Sequence, residues 1–127
     1  AGLARWDVPA QTLALSGVQG GLFALPDYGR TQSFSTRYEK KFSGKPHQLA
    51  GLAYDGVAAI GALVARGTNN ALGAAALTQT AGFEGVDGIF RLRKDGTNER
   101  GLAVATIQDK QVVILDPAPS AFEFFSF

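Results

Sequence analysis

A nucleophilic mechanism in this chain would recruit a serine, Ser33 or Ser43, with His47 as its base and Asp55 eight residues further on. A histidine can act as the base for a serine while a carboxylate orients the imidazole, an arrangement that would define a hydrolase. No serine here lies in the pattern of a nucleophile elbow. The sequence therefore favours His47 as a polar residue in the first turn of a helix. We assign no catalytic residue and predict that the protein is not an enzyme.

Asp55 interrupts an otherwise apolar segment. A buried carboxylate is costly unless it is paired or hydrogen-bonded, so Asp55 either lines a cleft or binds a neighbouring backbone or arginine. The second role is the commoner one, and we predict it here. The ring of Tyr54 is, for a similar reason, more often packed with a satisfied hydroxyl than used as a ligand contact.

Patterns for metals and phosphates are absent from the sequence. The glycines of residues 17–21 precede a predicted strand, whereas a phosphate loop follows a strand and opens a helix. The polar residues between 87 and 99 lack EF-hand spacing and predict a solvated loop. Because the chain has no cysteine and one histidine, disulfide scaffolds, zinc fingers and His-rich metal sites are excluded. We assign no metal and no cofactor.

The composition is that of one globular domain. The chain has 127 residues, of which 46% are hydrophobic and 18% charged, and its formal net charge is +1. Nucleic acid is not an expected partner, because no stretch combines clustered basic residues with aromatics. No apolar run approaches the roughly 20 residues of a membrane span. The first residue is Ala1 rather than Met, from which we expect a processed or cut chain.

The elements before residue 50 alternate between strands and a helix. Residues 3–7 predict the end of a strand or a loop, and the apolar run at residues 20–25 predicts a buried strand. Aromatic residues then recur at every fourth position, Phe34, Tyr38 and Phe42, as on one face of a helix. Thr31 is the predicted N-cap of that helix.

Residues 49–65 give the strongest helical pattern, with apolar residues at spacings of three and four. Since the remaining positions are mostly Ala and Gly, we expect packing on more than one side, with Leu52, Val57, Ile60 and Val64 buried. An Ile60→Ala substitution should then cost about 2–5 kcal/mol.

The last part of the chain changes from helix to strand. Asn70 is the predicted cap of an Ala-rich helix that Gly82 ends. Residues 89–93 predict a strand, and residues 102–107 and 111–115 predict a β-hairpin turning at Asp109 and Lys110. The phenylalanines from 122 to 127 are expected to pack on a missing or neighbouring part of the molecule, because such a patch rarely stays exposed.

The order of these motifs resembles the C-terminal third of type I periplasmic binding proteins, the branched-chain amino acid and amide receptors of bacterial ABC importers. The resemblance extends from about residue 5 to residue 115 and rests on these segments: Arg5-Trp6-Asp7, Gln19-Gly20-Gly21-Leu22-Phe23-Ala24 with Pro26, Phe34 to Phe42, Leu52-Ala53-Tyr54-Asp55-Gly56-Val57, and Gly82-Phe83-Glu84-Gly85-Val86-Asp87-Gly88-Ile89-Phe90-Arg91 with Asp95-Gly96.

The resemblance implies an α/β fold: a Rossmann-like portion of a two-lobe receptor with a C-terminal β-hairpin. Residues 17–88 would supply a strand and helices of the N-terminal lobe, and residues 89–127 would return towards the other lobe. Most ligand-binding residues of such receptors lie in parts of the chain that are absent here. Tyr54, Pro26 and Asp27, at the edge facing the cleft, are the positions that the resemblance implies for ligand binding.

The implied function is that of a non-enzymatic periplasmic receptor for an amino acid, an amide or another small polar solute. Its partners would be the remainder of the receptor chain and a membrane permease. A lipid anchor on the missing N-terminal part stays open. An alternative with the same fold is a lipoprotein that activates a penicillin-binding protein. The isolated chain should form an oligomer or a complex with the rest of its receptor, since its strand edges would be unpaired.

Overall fold

A computed structural model of the protein describes residues 10–122. The prediction for residues 3–7, the Arg5-Trp6-Asp7 motif and the phenylalanines after Phe122 lie outside the described residues. The elements are four helices, one 3₁₀ turn and six strands within this range, in an α/β arrangement with a C-terminal hairpin, as predicted. They are α1 (Ala10–Leu13), the 3₁₀ turn Ser16–Val18, β1 (Leu22–Leu25), α2 (Tyr28–Phe42), α3 (Ala50–Ala65), α4 (Ala74–Leu77), β2 (Phe83–Gly85), β3 (Gly88–Leu92), β4 (Asn98–Arg100), β5 (Ala103–Gln108) and β6 (Gln111–Asp116).

The first sheet has the order β1-β5-β6, with both pairs antiparallel. Alternate side chains of β1 and β5 point to one face of a sheet, and there they build a core that the segment before β1 partly covers. Its buried members are Phe23, Leu25, Ala103, Ala105 and Ile107. The predicted β1 strand and C-terminal hairpin are confirmed.

The hairpin turn has an unusual backbone. Asp109 and Lys110 both adopt left-handed conformations, with φ of 50° and 64°. Two-residue hairpin loops of type I′ require positive φ at both central positions, because this matches the twist of the strands. The prediction of a turn at this polar pair, which stands between two apolar runs, is confirmed.

The second sheet has the order β2-β3-β4 and is also antiparallel. Phe83 on β2 lies opposite Phe90 on β3, with ring centroids 5.4 Å apart, and Leu63 of α3 completes this core. The β3 strand was predicted; β2 and β4 were not, because each has only three residues and contains a charge. At the end of the described chain, the Phe122 ring packs on the guanidinium of Arg91, 4.4 Å away.

Helix α2 begins earlier than predicted. Asp27 is its N-cap, since one of its carboxylate oxygens accepts a hydrogen bond of 3.0 Å from the backbone N–H of Arg30. A carboxylate at this position satisfies an amide that the helix leaves unpaired. The prediction of Thr31 as N-cap is therefore wrong, and the Thr31 hydroxyl bonds instead to Asp87.

Helix α3 confirms the predicted helix and corrects its predicted burial. The four residues expected in the core are exposed: Leu52 at 42%, Val57 at 73%, Ile60 at 48% and Val64 at 55%. The buried side instead carries Gly51, Asp55 and Leu63. A helix that is apolar almost all round gives no preferred direction, so the spacing could not tell which side faces the second sheet.

The Ala-rich helix is also shorter than predicted. Only Ala74–Leu77 is helical, and its N-cap is Gly73 rather than Asn70. Asn70 has φ of 60°, and its carbonyl accepts a bond from the Gly73 N–H, so this stretch is a turn. Alanine content alone gives weak helices unless the helix is long or packed.

No helix of residues 10–122 combines the length and the apolar content that a membrane crossing needs. The assignment of residues 17–88 and 89–127 to two lobes stays a prediction.

Candidate functional site

Asp55 occupies the centre of the contact between α3 and the second sheet. It is 1% exposed, and its carboxylate accepts a 2.7 Å bond from the backbone N–H of Val86 and a 3.4 Å bond from that of Asp87. A Cβ on Gly85 would collide with this carboxylate. The predicted structural role of Asp55, as an acceptor for backbone amides, is confirmed.

Asp87 packs against the same face of α3, one turn before Asp55. It is 7% exposed, its carboxylate accepts a 3.3 Å bond from the Thr31 hydroxyl, and it packs so closely on Gly51 that a Cβ there would collide with it. The prediction of a solvated loop is wrong at this position, although it holds at Asp95, which is exposed. Asp95 lies in a hairpin turn, whereas Asp87 lies in the turn between β2 and β3, which α2 and α3 cover.

Burial raises the pKa of Asp87, and the nearby charge of Asp55 raises it further. The hydrogen bond from Thr31 and the charge of Arg100 act in the opposite direction but do not cancel the rise. Two carboxylates in one shielded place disfavour double ionisation. Asp87 therefore holds its proton more tightly than a surface aspartate does.

Pro26 and Asp27 follow β1 directly and are half-buried. The Asp27 N–H donates a 3.3 Å bond to the Asp87 carbonyl, and its carboxylate lies 3.6 Å from Nε of Arg30. Because the capping bond and this ion pair engage the Asp27 carboxylate, its role here is to fix the start of α2.

Tyr54 borders a polar cleft of about 380 Å³. The cleft lies beside the place where the turn between β2 and β3 meets α2 and α3. The cleft is shallow and open to solvent, and its charged lining comes from Arg30 and Arg37 together with the carboxylates of Asp55 and Glu84. Arg30 reaches Glu84 and the Gly85 carbonyl, both at 3.4 Å. Arginine presents several donors in a plane that suits a carboxylate. The cleft therefore has the charges for a small anionic or zwitterionic group.

A second, apolar groove of about 570 Å³ lies between α2 and α3. Its wall is an aromatic row in which Phe34 is 5.3 Å from Tyr54 and 6.0 Å from Tyr38, and Tyr38 is 4.7 Å from Phe42, between ring centroids. Tyr54 borders both cavities, and half of it is exposed. Its ring is packed, as predicted, and also accessible.

The residues considered for hydrolysis are not brought together. Asp55 is engaged by the amides of residues 86 and 87, and exposed His47 accepts a bond at Nδ1 from the Leu49 N–H. The Ser33 hydroxyl donates to the Gly29 carbonyl. Within residues 10–122, no group of three or more histidine, aspartate or glutamate side chains could hold a metal ion.

The sequence indicated Asp27 and Tyr54 but missed Arg30 and Asp87 as parts of this region. Arg30 follows the cap residue by one turn, so the Pro26-Asp27 pair before a helix could have indicated it. Asp87 lies between Val86 and Gly88, and only the placement of α2 and α3 over that turn buries it. Whether Tyr54, Pro26 and Asp27 contact a ligand stays a prediction.

The family model for periplasmic binding proteins matches residues 1–111. The chain belongs to this family, as the order of motifs predicted.

Known structures share the fold. A protein assigned to a branched-chain amino acid ABC transporter of Rhodospirillum rubrum is 20% identical with a TM-score of 0.70, over 87% of this chain and 35% of that chain. An ABC transporter substrate-binding protein of Desulfitobacterium hafniense in complex with Leu is 21% identical with a TM-score of 0.56, over 89% and 34%. A solute-binding protein of R. palustris in complex with benzoate is 18% identical with a TM-score of 0.51, over 87% and 33%.

The chain thus spans about a third of the length of these proteins. At this level of identity the likeness shows the fold alone. The search among curated proteins gave no match.

Proposed function

We propose that this chain is part of a non-enzymatic periplasmic receptor that delivers a small polar solute to an ABC importer. The observation that carries the proposal is the family match over residues 1–111. The polar cleft beside Tyr54 supports it, since solute sites are concave and contain a few convergent polar groups.

The proposed solute carries a carboxylate, as an amino acid does. Arg30 and Arg37 both line the cleft; Arg30 is paired with Asp27 and Glu84, whereas Arg37 is exposed, so Arg37 is the cation that an incoming carboxylate would meet. The D. hafniense protein holds leucine and the R. palustris protein holds benzoate, and both compounds are carboxylates. A neutral amide is the alternative small polar solute. It would form hydrogen bonds with the polar walls and would not need both arginines.

The proposed partners are the remainder of the receptor and a membrane permease. The exposed apolar side of α3, with Leu52, Ile60 and Val64, supports the first of these, because an apolar surface of this kind is normally covered. The activation of a penicillin-binding protein has no support in the comparisons, whose reported structures are all transport proteins.

Isothermal titration calorimetry of the receptor that contains this segment tests the proposal, with leucine, valine, acetamide and benzoate as titrants. We expect one of them to bind with micromolar affinity. Tyr54→Ala should weaken that affinity about tenfold, which corresponds to about 1.4 kcal/mol. Tyr28→Ala is the matched control, since Tyr28 is equally exposed but borders neither cavity at Tyr54. Equal losses in both variants would contradict the proposed site.

The isolated 127-residue chain provides a separate test. We expect it to bind these solutes weakly or not at all, because most of the cleft would come from elsewhere, and to form an oligomer or a complex in light scattering. A compact monomer with micromolar affinity would show that the chain is a sufficient receptor by itself.

A further inference from the structure

The turn between β2 and β3, residues 85–88, joins three parts of the fold. Asp55 of α3 accepts the amides of Val86 and Asp87. The carbonyl of Asp87 accepts the N–H of Asp27, which starts α2. Its carboxylate accepts the hydroxyl of Thr31, one turn into the same helix. The position of α2 relative to α3 therefore depends on this turn.

Three glycines let the turn come close to its neighbours. Gly51 and Gly85 leave room for the carboxylates of Asp87 and Asp55, respectively. Gly88 has φ of 104°, a conformation that L side chains rarely adopt, and a Cβ there would lie in contact with Asp27. With no side chain between the backbones, a change in charge at Asp87 acts directly on α2 and α3.

The two buried carboxylates are supported unequally. Asp55 has two amide donors, which suit a charged carboxylate, whereas the hydrogen bond described for the Asp87 side chain comes from one hydroxyl at 3.3 Å. The charged form of the Asp87 carboxylate therefore has the weaker hydrogen-bonding support, so Asp87 is the member of the pair that we expect to take up a proton.

The charged groups around Asp87 come from every element packed on the turn. Asp27 and Arg30 lie at the start of α2, Asp55 on α3, Glu84 on β2 and Arg100 on β4. Arg100 favours the charged form of Asp87, and Asp55 opposes it more strongly. Arg30 is already held by Asp27 and Glu84.

We propose that Asp87 is a proton-operated lock: protonated, it lets the turn lie against Gly51 and Asp55 of α3, and on losing the proton it is repelled by Asp55 and loosens the turn, together with the start of α2 bound to it, from α3. The start of α2 carries Arg30, which borders the polar cleft. Where it concerns solute binding, the lock rests on the proposed function. The lock itself is measured on the protein without solute.

The direction of the effect follows from the pKa of Asp87, which folding raises. The folded chain binds this proton more tightly than the unfolded chain does, so the contribution to stability is fully present below about pH 4, the usual range for aspartate. It is lost as the pH rises through the raised pKa. This is the opposite of the ordinary behaviour of a paired carboxylate.

Carboxyl-detected NMR titration of the protein tests the lock directly. We expect Asp87 to titrate above the usual value for aspartate and Asp95 below it, because the hydrogen bonds from the Thr97 hydroxyl and N–H lower the pKa of Asp95. The amide signals of residues 27 and 87 should shift with the midpoint of Asp87. An Asp87 that titrates at or below the usual value would overturn the proposal.

Two variants separate the lock from a simple loss of structure. Asp87→Asn keeps the shape but carries no charge, so it should unfold at a higher denaturant concentration than the wild type at pH 7 and at the same concentration near pH 4. The control is Asp95→Asn, which should not show a gain at pH 7 that vanishes near pH 4. If Asp87→Asn is instead destabilised at both pH values, Asp87 is a structural carboxylate and the lock is wrong.

Solute binding provides the final readout. If the lock acts on the cleft, the affinity for the bound solute should change between pH 4 and pH 7 in the wild type by more than in Asp87→Asn. If the NMR titration shows the raised pKa and the affinities of both proteins vary equally with pH, the cleft is independent of the turn, and only the link to solute binding fails.

Discussion

The first sheet and helix α3 are both apolar in sequence, yet they are covered to very different extents. In the sheet, Phe23, Leu25 and Ile107 are at most 3% exposed. On α3, Ile60 and Val64 remain about half exposed, although their spacing is just as regular. The difference is that β1, β5 and β6 supply one another's partners, whereas nothing described packs on the outer side of α3. Periodicity indicates which residues can be buried; the presence of a partner decides which ones are.

The largest effect should come from Ile107→Ala in the first sheet. Ile107 is fully buried among strand neighbours, so the variant should lose about 2–5 kcal/mol of unfolding free energy, from lost burial and the cavity left behind. Chemical denaturation measures this. A loss below about 1 kcal/mol, the range of surface substitutions, would show that the sheet is less closed than it is described here.

Asp55→Asn should have the next largest effect. The asparagine oxygen can still accept the Val86 amide, but its NH₂ group would face the Asp87 N–H, leaving a buried donor unpaired. Such losses cost about 1–3 kcal/mol. Denaturation at pH 7 measures this, and an unchanged midpoint would show that the carboxylate does not hold the second sheet to α3.

Ile60→Ala should cost less than about 1 kcal/mol, as is usual for exposed positions, and not the 2–5 kcal/mol expected from the spacing alone. Leu63→Ala is the matched control on the same helix, since Leu63 is 2% exposed, and it should cost several times more. Equal losses would show that a partner covers the outer side of α3 under the conditions of the measurement.

The smallest effect is expected for Glu99→Gln on the exposed side of the second sheet. Hydrogen bonds from Arg93 and then from Arg91 lower the pKa of Glu99. A lowered pKa means stability that is present above the unfolded value and lost as the pH falls through the folded one. The variant should therefore flatten the acid side of the stability profile slightly, as measured by thermal unfolding between pH 3 and pH 7. A variant with a steeper acid limb than the wild type would contradict this.

The parts of the fold that the sequence predicted correctly have local causes. The Asp109-Lys110 pair between two apolar runs defined the hairpin, and the spacing of residues 49–65 defined α3. The start of α2 was misplaced because Asp27 and Thr31 are both good caps, and only the contact of Thr31 with Asp87 decides between them.

The candidate site was predictable only in part, for a related reason. Tyr54 and Asp27 could be named because their motifs are continuous in sequence. Asp87 and Arg30 gain their significance from a turn and a helix that meet across more than fifty residues, as the bond between Thr31 and Asp87 shows. Sequence patterns do not show that residues so far apart along the chain come into contact.

The pairing of β1 with β5 places Leu22 opposite Thr106, so the central contact of the first sheet joins strands that are far apart in sequence. Closing such a long loop costs conformational entropy before the stabilising contacts between the strands can form, and topologies of this kind fold slowly. During synthesis, β1 has to wait with an unpaired edge until β5 has emerged, while the β5-β6 hairpin can form at once. A chain that lacks the hairpin would therefore keep an exposed apolar strand, so the hairpin, which is synthesised long after β1, protects the first sheet from aggregation.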